Sequence, residues 1–167
     1  TSGVLDINGD VSVGAAGSIA TTGGGNHTVA GGFVCGGTLA MTGTLTFDGS
    51  LPGNFASTSP FPPLIVAKAA GVPLDLVGDA TCPSLTETSG WLRVSVGFFT
   101  LTVNGNAAFN GGEFSAYNIG VLDVNGNVTF AGTTVNGSLP TVRCAGNFLA
   151  NAAFTPTFGT LELDGAT

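Results

Sequence analysis

A nine-residue phrase recurs along the chain. Residues 101–109 read LTVNGNAAF, residues 122–130 read LDVNGNVTF, and residues 5–13 read LDINGDVSV. Looser copies open at 27 (HTVAGGFVC), 39 (LAMTGTLTF), 74 (LDLVGDATC), 142 (VRCAGNFLA) and 161 (LELDGAT). The starts at 101, 122, 142 and 161 are nearly evenly spaced, whereas those at 27, 39 and 74 are irregular. The phrase is a strand pattern: Leu122, Val124, Val128 and Phe130 alternate with Asp123 and Thr129, which gives one apolar and one polar face. Helix is penalised throughout by Gly, Asn and β-branched residues. A strand with one apolar face cannot bury it alone. Recurrence at about 20 residues is the signature of a solenoid, in which each copy stacks on the next about 4.8 Å away.

The Asn-Gly at the centre of the phrase admits two geometries. As a tight hairpin turn it would build an antiparallel β-sandwich. As the corner of a coil it would build an all-β parallel β-helix, with Asn8, Asn104 and Asn125 stacked as an amide ladder. The coil explains the recurrence as well as the phrase, and it is the predicted fold. Its inward residues are Leu5, Ile7, Leu39, Phe47, Leu74, Leu76, Leu101, Val103, Phe109, Leu122, Val124 and Phe130. Residues 50–73 carry Pro52, Pro60, Pro62, Pro63 and Pro73. Proline removes ladder donors, so the expectation there is an irregular, strand-poor excursion within one domain spanning 1–167. Residues 83–90 read as a second, shorter irregular stretch.

Charged residues are only 8% of the chain, against about 25% in an ordinary soluble domain, and the formal charge is −7. Three cations cannot neutralise a row of phosphates, which argues against nucleic acid and anionic lipid as partners. No apolar run is long enough for a membrane-spanning helix. The chain opens without Met and without a visible signal peptide, and so reads as a processed product or an excised piece. Cys35, Cys82 and Cys144 lack metal-ligand spacing and read as small buried side chains.

Each chemical candidate has a plainer reading. Asp6, Asp75 and Asp123 share the second position of the phrase. Stacked, they would form an acidic stripe able to hold calcium or to serve a polysaccharide-cleaving enzyme; otherwise they are a solvated outer face. Thr102 and Arg143 interrupt that column, which favours the solvated face and no cofactor. His27 lies in GGGNHT and reads as a turn residue. Lys68 among apolar neighbours either snorkels to water or, less simply, forms an isopeptide bond with an Asn. Asn26, Asn127 and Asn136 open glycosylation-type triplets, which arise by chance in a chain rich in Asn and Thr.

The copies at 101–109, 122–130 and, less closely, 5–13, with the closing FGTLELDG, resemble the repeats of large bacterial cell-surface β-solenoid proteins of the adhesin type. The resemblance covers most of the chain outside 50–73. It implies an extracellular parallel β-helix used for adhesion, surface coating or fibre building, and it supplies no catalytic residues. The expected function is structural and non-enzymatic. Subunits would join head to tail through open strand edges at Leu161 and Leu163, or the coil would continue into neighbouring repeats of a longer chain. A carbohydrate-binding adhesive module, with Trp91 and Tyr117 as its aromatics, is the alternative, and a polysaccharide lyase or hydrolase the more distant one.

Overall fold

The computed structural model describes residues 3–94, 97–115, 120–135, 138–151, 154 and 158–165. The chain winds as a parallel β-solenoid with three faces. The first turn contributes β1 (Asp6–Ile7), β2 (Val11–Val13) and β3 (Ser18–Ala20), and the second β4 (Asn26–Val29), β5 (Phe33–Cys35) and β6 (Thr38–Ala40). The third contributes β7 (Thr44–Phe47) and β8 (Gly53–Ser57), and the fourth β9 (Leu64–Ala67), β10 (Pro73–Leu76) and β11 (Ala80–Cys82). Then come β12 (Leu85–Ser89), β13 (Trp91–Arg93) and β14 (Thr100–Val103), followed by β15 (Ala107–Phe109), β16 (Glu113–Ser115) and β17 (Val121–Val124). The last turns carry β18 (Val128–Phe130), β19 (Thr134–Val135), β20 (Ser138–Cys144), β21 (Phe148–Ala150) and β22 (Phe158–Leu163).

The first face is an eight-stranded sheet in the order β1-β4-β7-β9-β12-β15-β18-β21. The second is the seven-stranded sheet from β2 to β19. The third face holds the pair β3-β6 and the five-stranded sheet β11-β14-β17-β20-β22, interrupted at the third turn. Pairing is parallel throughout, as in β14 on β17 and β15 on β18, so the Asn-Gly hairpin is excluded for these copies. Along the first face, one column runs Ile7, Val29, Phe47, Val66, Glu87, Phe109, Phe130 and Ala150, one residue per turn at nearly even steps.

The coil is therefore more regular than the phrase spacing. Copies at 101, 122, 142 and 39 turn the corner from the third face to the first, those at 5 and 27 the corner from the first to the second, and that at 74 the corner from the second to the third. The uneven starts at 27, 39, 74 and 101 arise because the same phrase changes corner, so successive copies are one or two thirds of a turn out of step.

Residues 50–73 correct the expected excursion. They contain β8 and β9, both in register with their neighbours: Phe55 lies on Phe33, and Val66 on Phe47. Pro52, Pro62 and Pro63 sit just before those strands and Pro73 is the first residue of β10, positions where the missing N–H costs no ladder bond. Residues 83–90 likewise contain β12. The strand break on the third face is confined to the stretch after Ser57, where Phe61 turns inward edge-on to Phe33 at 5.6 Å.

Within the core, like stacks on like where the phrase repeats. Leu101 lies on Leu122, Val103 on Val124, and the rings of Phe109 and Phe130 stack at 4.4 Å and 6°. All six are buried, as are Leu39, Phe47, Leu74 and Leu76, whereas Leu5 and Ile7 of the first turn are partly buried. Each fully buried Leu or Phe contributes roughly 1.5–3 kcal/mol of transfer free energy. Glycine at the phrase corner is required by approach rather than by dihedral angle: a Cβ on Gly126 would meet the Gly105 carbonyl oxygen at 2.6 Å. Val124 is buried in a column between Val103 and Cys144. Val124→Asp is expected to lower unfolding free energy by about 3 kcal/mol or more, measured by denaturant melting. An unchanged midpoint would refute the inward assignment.

Candidate functional site

The titratable and polar residues fall into three groups: inward groups on the first face and at its corners, a ladder at the phrase corner, and the two ends of the coil. Period-two alternation places the first group. Leu64, Val66 and Lys68 point inward in succession, and so do Leu85 and Glu87. His27 occupies the leucine slot of its own copy, on Leu45 of β7.

Lys68 is buried, and its Nζ donates to the carbonyls of Ala30 at 2.5 Å, Gly31 at 2.7 Å and Leu51 at 3.0 Å. It neither snorkels nor bonds to an asparagine; it ties three successive turns at one corner. Burial lowers its pKa, and the carboxylates of Asp48 and Asp10 partly restore it. His27 is buried on β4 rather than in a turn. Its Nδ1 accepts the Leu5 N–H at 3.0 Å, and Nε2 lies 2.9 Å from the Thr42 carbonyl oxygen. These contacts select the tautomer protonated at Nε2 and bind the first turn to the second.

Glu87 stands in a column between Val66 and Phe109. Oε1 accepts the Leu92 N–H at 3.1 Å, and Oε2 is buried without a partner among the described residues. Burial pushes its pKa up to about 9; the Leu92 bond opposes that shift and the Glu113 carboxylate adds to it. The carboxyl is therefore neutral at pH 7.

The candidate acidic stripe does not form. Asp6 lies on the first face, Asp75 on the second and Asp123 on the third. Asp6 accepts the Thr28 hydroxyl at 2.7 Å. Asp75 forms a two-point ion pair with Arg93, whose guanidinium lies 4.7 Å from the Trp91 ring centroid. Trp91 Nε1 donates to Ser115 Oγ at 2.7 Å. A shallow groove of about 430 Å³ crosses this second face past Asp10, Asn54, Asp75 and Arg93, but the charges of Asp75 and Arg93 are spent on each other. Tyr117 and Asn136 lie outside the described residues. Among the described residues no group of three or more His, Cys, Asp or Glu could hold a metal ion. The three cysteines are buried free thiols, and burial pushes the Cys82 thiol up to about 12.

At the phrase corner, Asn125 Nδ2 donates to Asn104 Oδ1 at 3.3 Å, while Asn8 turns a different corner. The stronger ladder uses the second asparagine of NGN. Asn106 Oδ1 accepts the Asn127 N–H at 2.9 Å, and Asn127 Oδ1 accepts the Asn147 N–H at 2.8 Å. Sequence reasoning singled out the first asparagine and missed the second, although NGN, NGN and AGN recur there.

The ends differ from the middle. β1 is the outermost strand of the first face, and β21 and β22 are outermost on the first and third faces at the other end. Leu161 and Leu163 continue the inward columns Leu122–Val142 and Val124–Cys144, yet they are 44% and 66% exposed. Leu149 on the first face is exposed, as is Val4 at the opposite end. Phe154 covers part of the interior near β21, packing on Phe130 at 4.7 Å and Phe148 at 5.6 Å. Comparison with protein-family models, curated proteins and solved structures gives no match to this chain.

Glu87 generates a pH prediction. Its pKa is higher folded than unfolded, so the native state holds the proton more tightly. Its contribution to stability is complete below about pH 4.5 and is lost progressively as pH rises through about 9. Across that window the loss is on the order of 5 kcal/mol. Lys68, with a lowered pKa, acts in the opposite direction at alkaline pH, so the comparison is between parent and Glu87→Gln. The variant's denaturation midpoint is expected to fall less steeply between pH 5 and 9. Parallel curves would show that Glu87 ionises freely in the native state.

Proposed function

We propose that this chain is a non-enzymatic, extracellular structural protein, a rigid coil that builds a filament or surface layer by adding strands at its ends. The observation that carries the reading is the last turn: Leu161 and Leu163 belong to inward columns, yet they present apolar side chains and an unpaired strand edge to solvent. An edge of this kind is a template for a further parallel strand, whether from the same chain or from another copy. The fate of the titratable groups supports a structural role. Lys68, His27 and Glu87 are turned inward onto backbone partners, and the phrase carboxylates lie on three different faces. The scarcity of charge and the resemblance of the repeats to those of cell-surface solenoid proteins favour an assembled surface material, with the polymer itself as partner and no bound cofactor.

Sedimentation and negative-stain microscopy of the chain at rising concentration test this. The expected result is concentration-dependent filaments, lost on deleting residues 161–167 while far-ultraviolet circular dichroism of the remaining turns is kept. A monodisperse monomer at millimolar concentration would overturn the reading.

A further inference from the structure

We infer that the groove on the second face binds an uncharged oligosaccharide, laid along the coil axis across the first five turns. The inference is independent of how the coil assembles and gives the chain a second, adhesive role.

The groove is built on one outward column. Val11 pairs with Phe33 and Phe33 with Phe55, so Asp10, Gly32 and Asn54, each one residue earlier, follow one another on successive turns. Asn54 then lies beside Asp75, and Asp75 beside Arg93. Four steps of about 4.8 Å make this row about 19 Å long, the reach of several linked sugar rings rather than one. Gly32 puts no side chain into it. A second column runs alongside, two residues earlier on each strand: Pro52, Pro73 and Trp91. A polar row flanked by a row of ring side chains suits a ligand that is itself two-sided, with hydroxyls on its edges and C–H groups on its faces.

The polar row has hydrogen-bonding capacity left over. The Asn54 amide makes no side-chain hydrogen bond among the described residues. Asp10 Oδ1 accepts the Gly32 N–H at 2.6 Å, which leaves Oδ2 open. Arg93 commits two of its five N–H donors, on Nε and Nη2, to Asp75 and keeps the others. It is also held in place, because Trp91 lies 4.7 Å from the guanidinium and is itself fixed by Ser115 at 2.7 Å. Neighbouring hydroxyls of a sugar are donors and acceptors at once, and planar amide, carboxylate and guanidinium groups meet them in pairs.

Charge narrows the ligand further. Asp75 and Arg93 neutralise each other, and the Asp10 carboxylate supports the buried Lys68 ammonium. The row therefore offers little unpaired charge to a polyuronate or a basic peptide, and the formal charge of −7 repels polyanions. Selection falls to hydrogen bonding, which favours neutral sugars.

Affinity electrophoresis in native gels tests the site, below the concentration at which sedimentation detects assembly. The probes are soluble β-glucan, mannan and galactan, with polygalacturonate as the charged control. At least one neutral polymer is expected to retard the parent chain, and polygalacturonate is not. Asn54→Ala is expected to weaken retardation about tenfold. The Asn54 side chain has no protein partner among the described residues, so this variant keeps the fold, which circular dichroism checks. Thr46→Ala, on the first face, is expected to behave as the parent. The site is overturned if no neutral polymer retards the parent, if Asn54→Ala is retarded equally, or if polygalacturonate retards it more. Filament formation is scored separately by sedimentation, so failure of the groove and failure of the assembly reading are distinguishable.

Discussion

In a parallel coil each inward side chain packs chiefly against the residues directly above and below it. The column is the unit of stability here, and most of the structure follows from keeping columns filled. Strand pairing fixes the separation at about 4.8 Å, so a residue cannot be accommodated by shifting the turn as a whole. Phe109 and Phe130 meet this constraint by lying parallel, 4.4 Å apart. Where turns are shorter, from Val29 to Phe47 and from Phe47 to Val66, the strands stay in register and the corners absorb the difference. The corners can do so because they are proline- and glycine-rich and contribute little to the columns.

Corners carry a second cost. Backbone groups that turn away from the ladder need partners, and the inner side of a corner admits little water. Lys68 answers this at the corner of the second and third turns by donating to three carbonyls. Glu87 answers the complementary need two turns later by accepting the Leu92 N–H. His27 does both, accepting from Leu5 and bonding the Thr42 carbonyl. These are the residues a search for catalytic groups would select first, and each bonds the backbone, Glu87 through Oε1 alone. A buried ionisable group in a solenoid can thus be a corner fitting, with its altered proton affinity a consequence of where it has to sit.

The repeat made the fold legible because a hairpin accounts for each phrase but gives no reason for its recurrence at about 20 residues, whereas a coil accounts for both. The same alternation held the buried polar residues in plain view. Lys68 follows Leu64 and Val66 at even spacing, Glu87 follows Leu85, and His27 stands where the phrase places leucine. What hides them is the assumption that a charged or aromatic-nitrogen side chain in a glycine-rich context faces water. The prolines of 50–73 mislead for a related reason. Their density describes the segment as a whole, whereas the structure sorts them by position, placing Pro52, Pro62 and Pro63 before strands and leaving the interiors of β8 and β9 free. The acidic stripe fails because phrase identity does not determine the corner. Asp6, Asp75 and Asp123 share a place in the phrase and none in space.

That last distinction bears on assembly. A coil that used one phrase at one corner would offer a single register to any incoming edge. This chain uses the phrase at all three corners, so the sequence of an edge strand does not by itself fix the register of a strand added to it. Polarity adds a further restriction. Because the strands of each sheet run in one direction, only contact between unlike ends continues the parallel pairing, and a two-fold pairing of like ends would bring strands together antiparallel. Contact between unlike ends does not close on itself unless the coil bends. Under the proposed structural role, a stack of turns with one axis would grow as a line, with the apolar columns that hold the turns together continuing into any turn added to them.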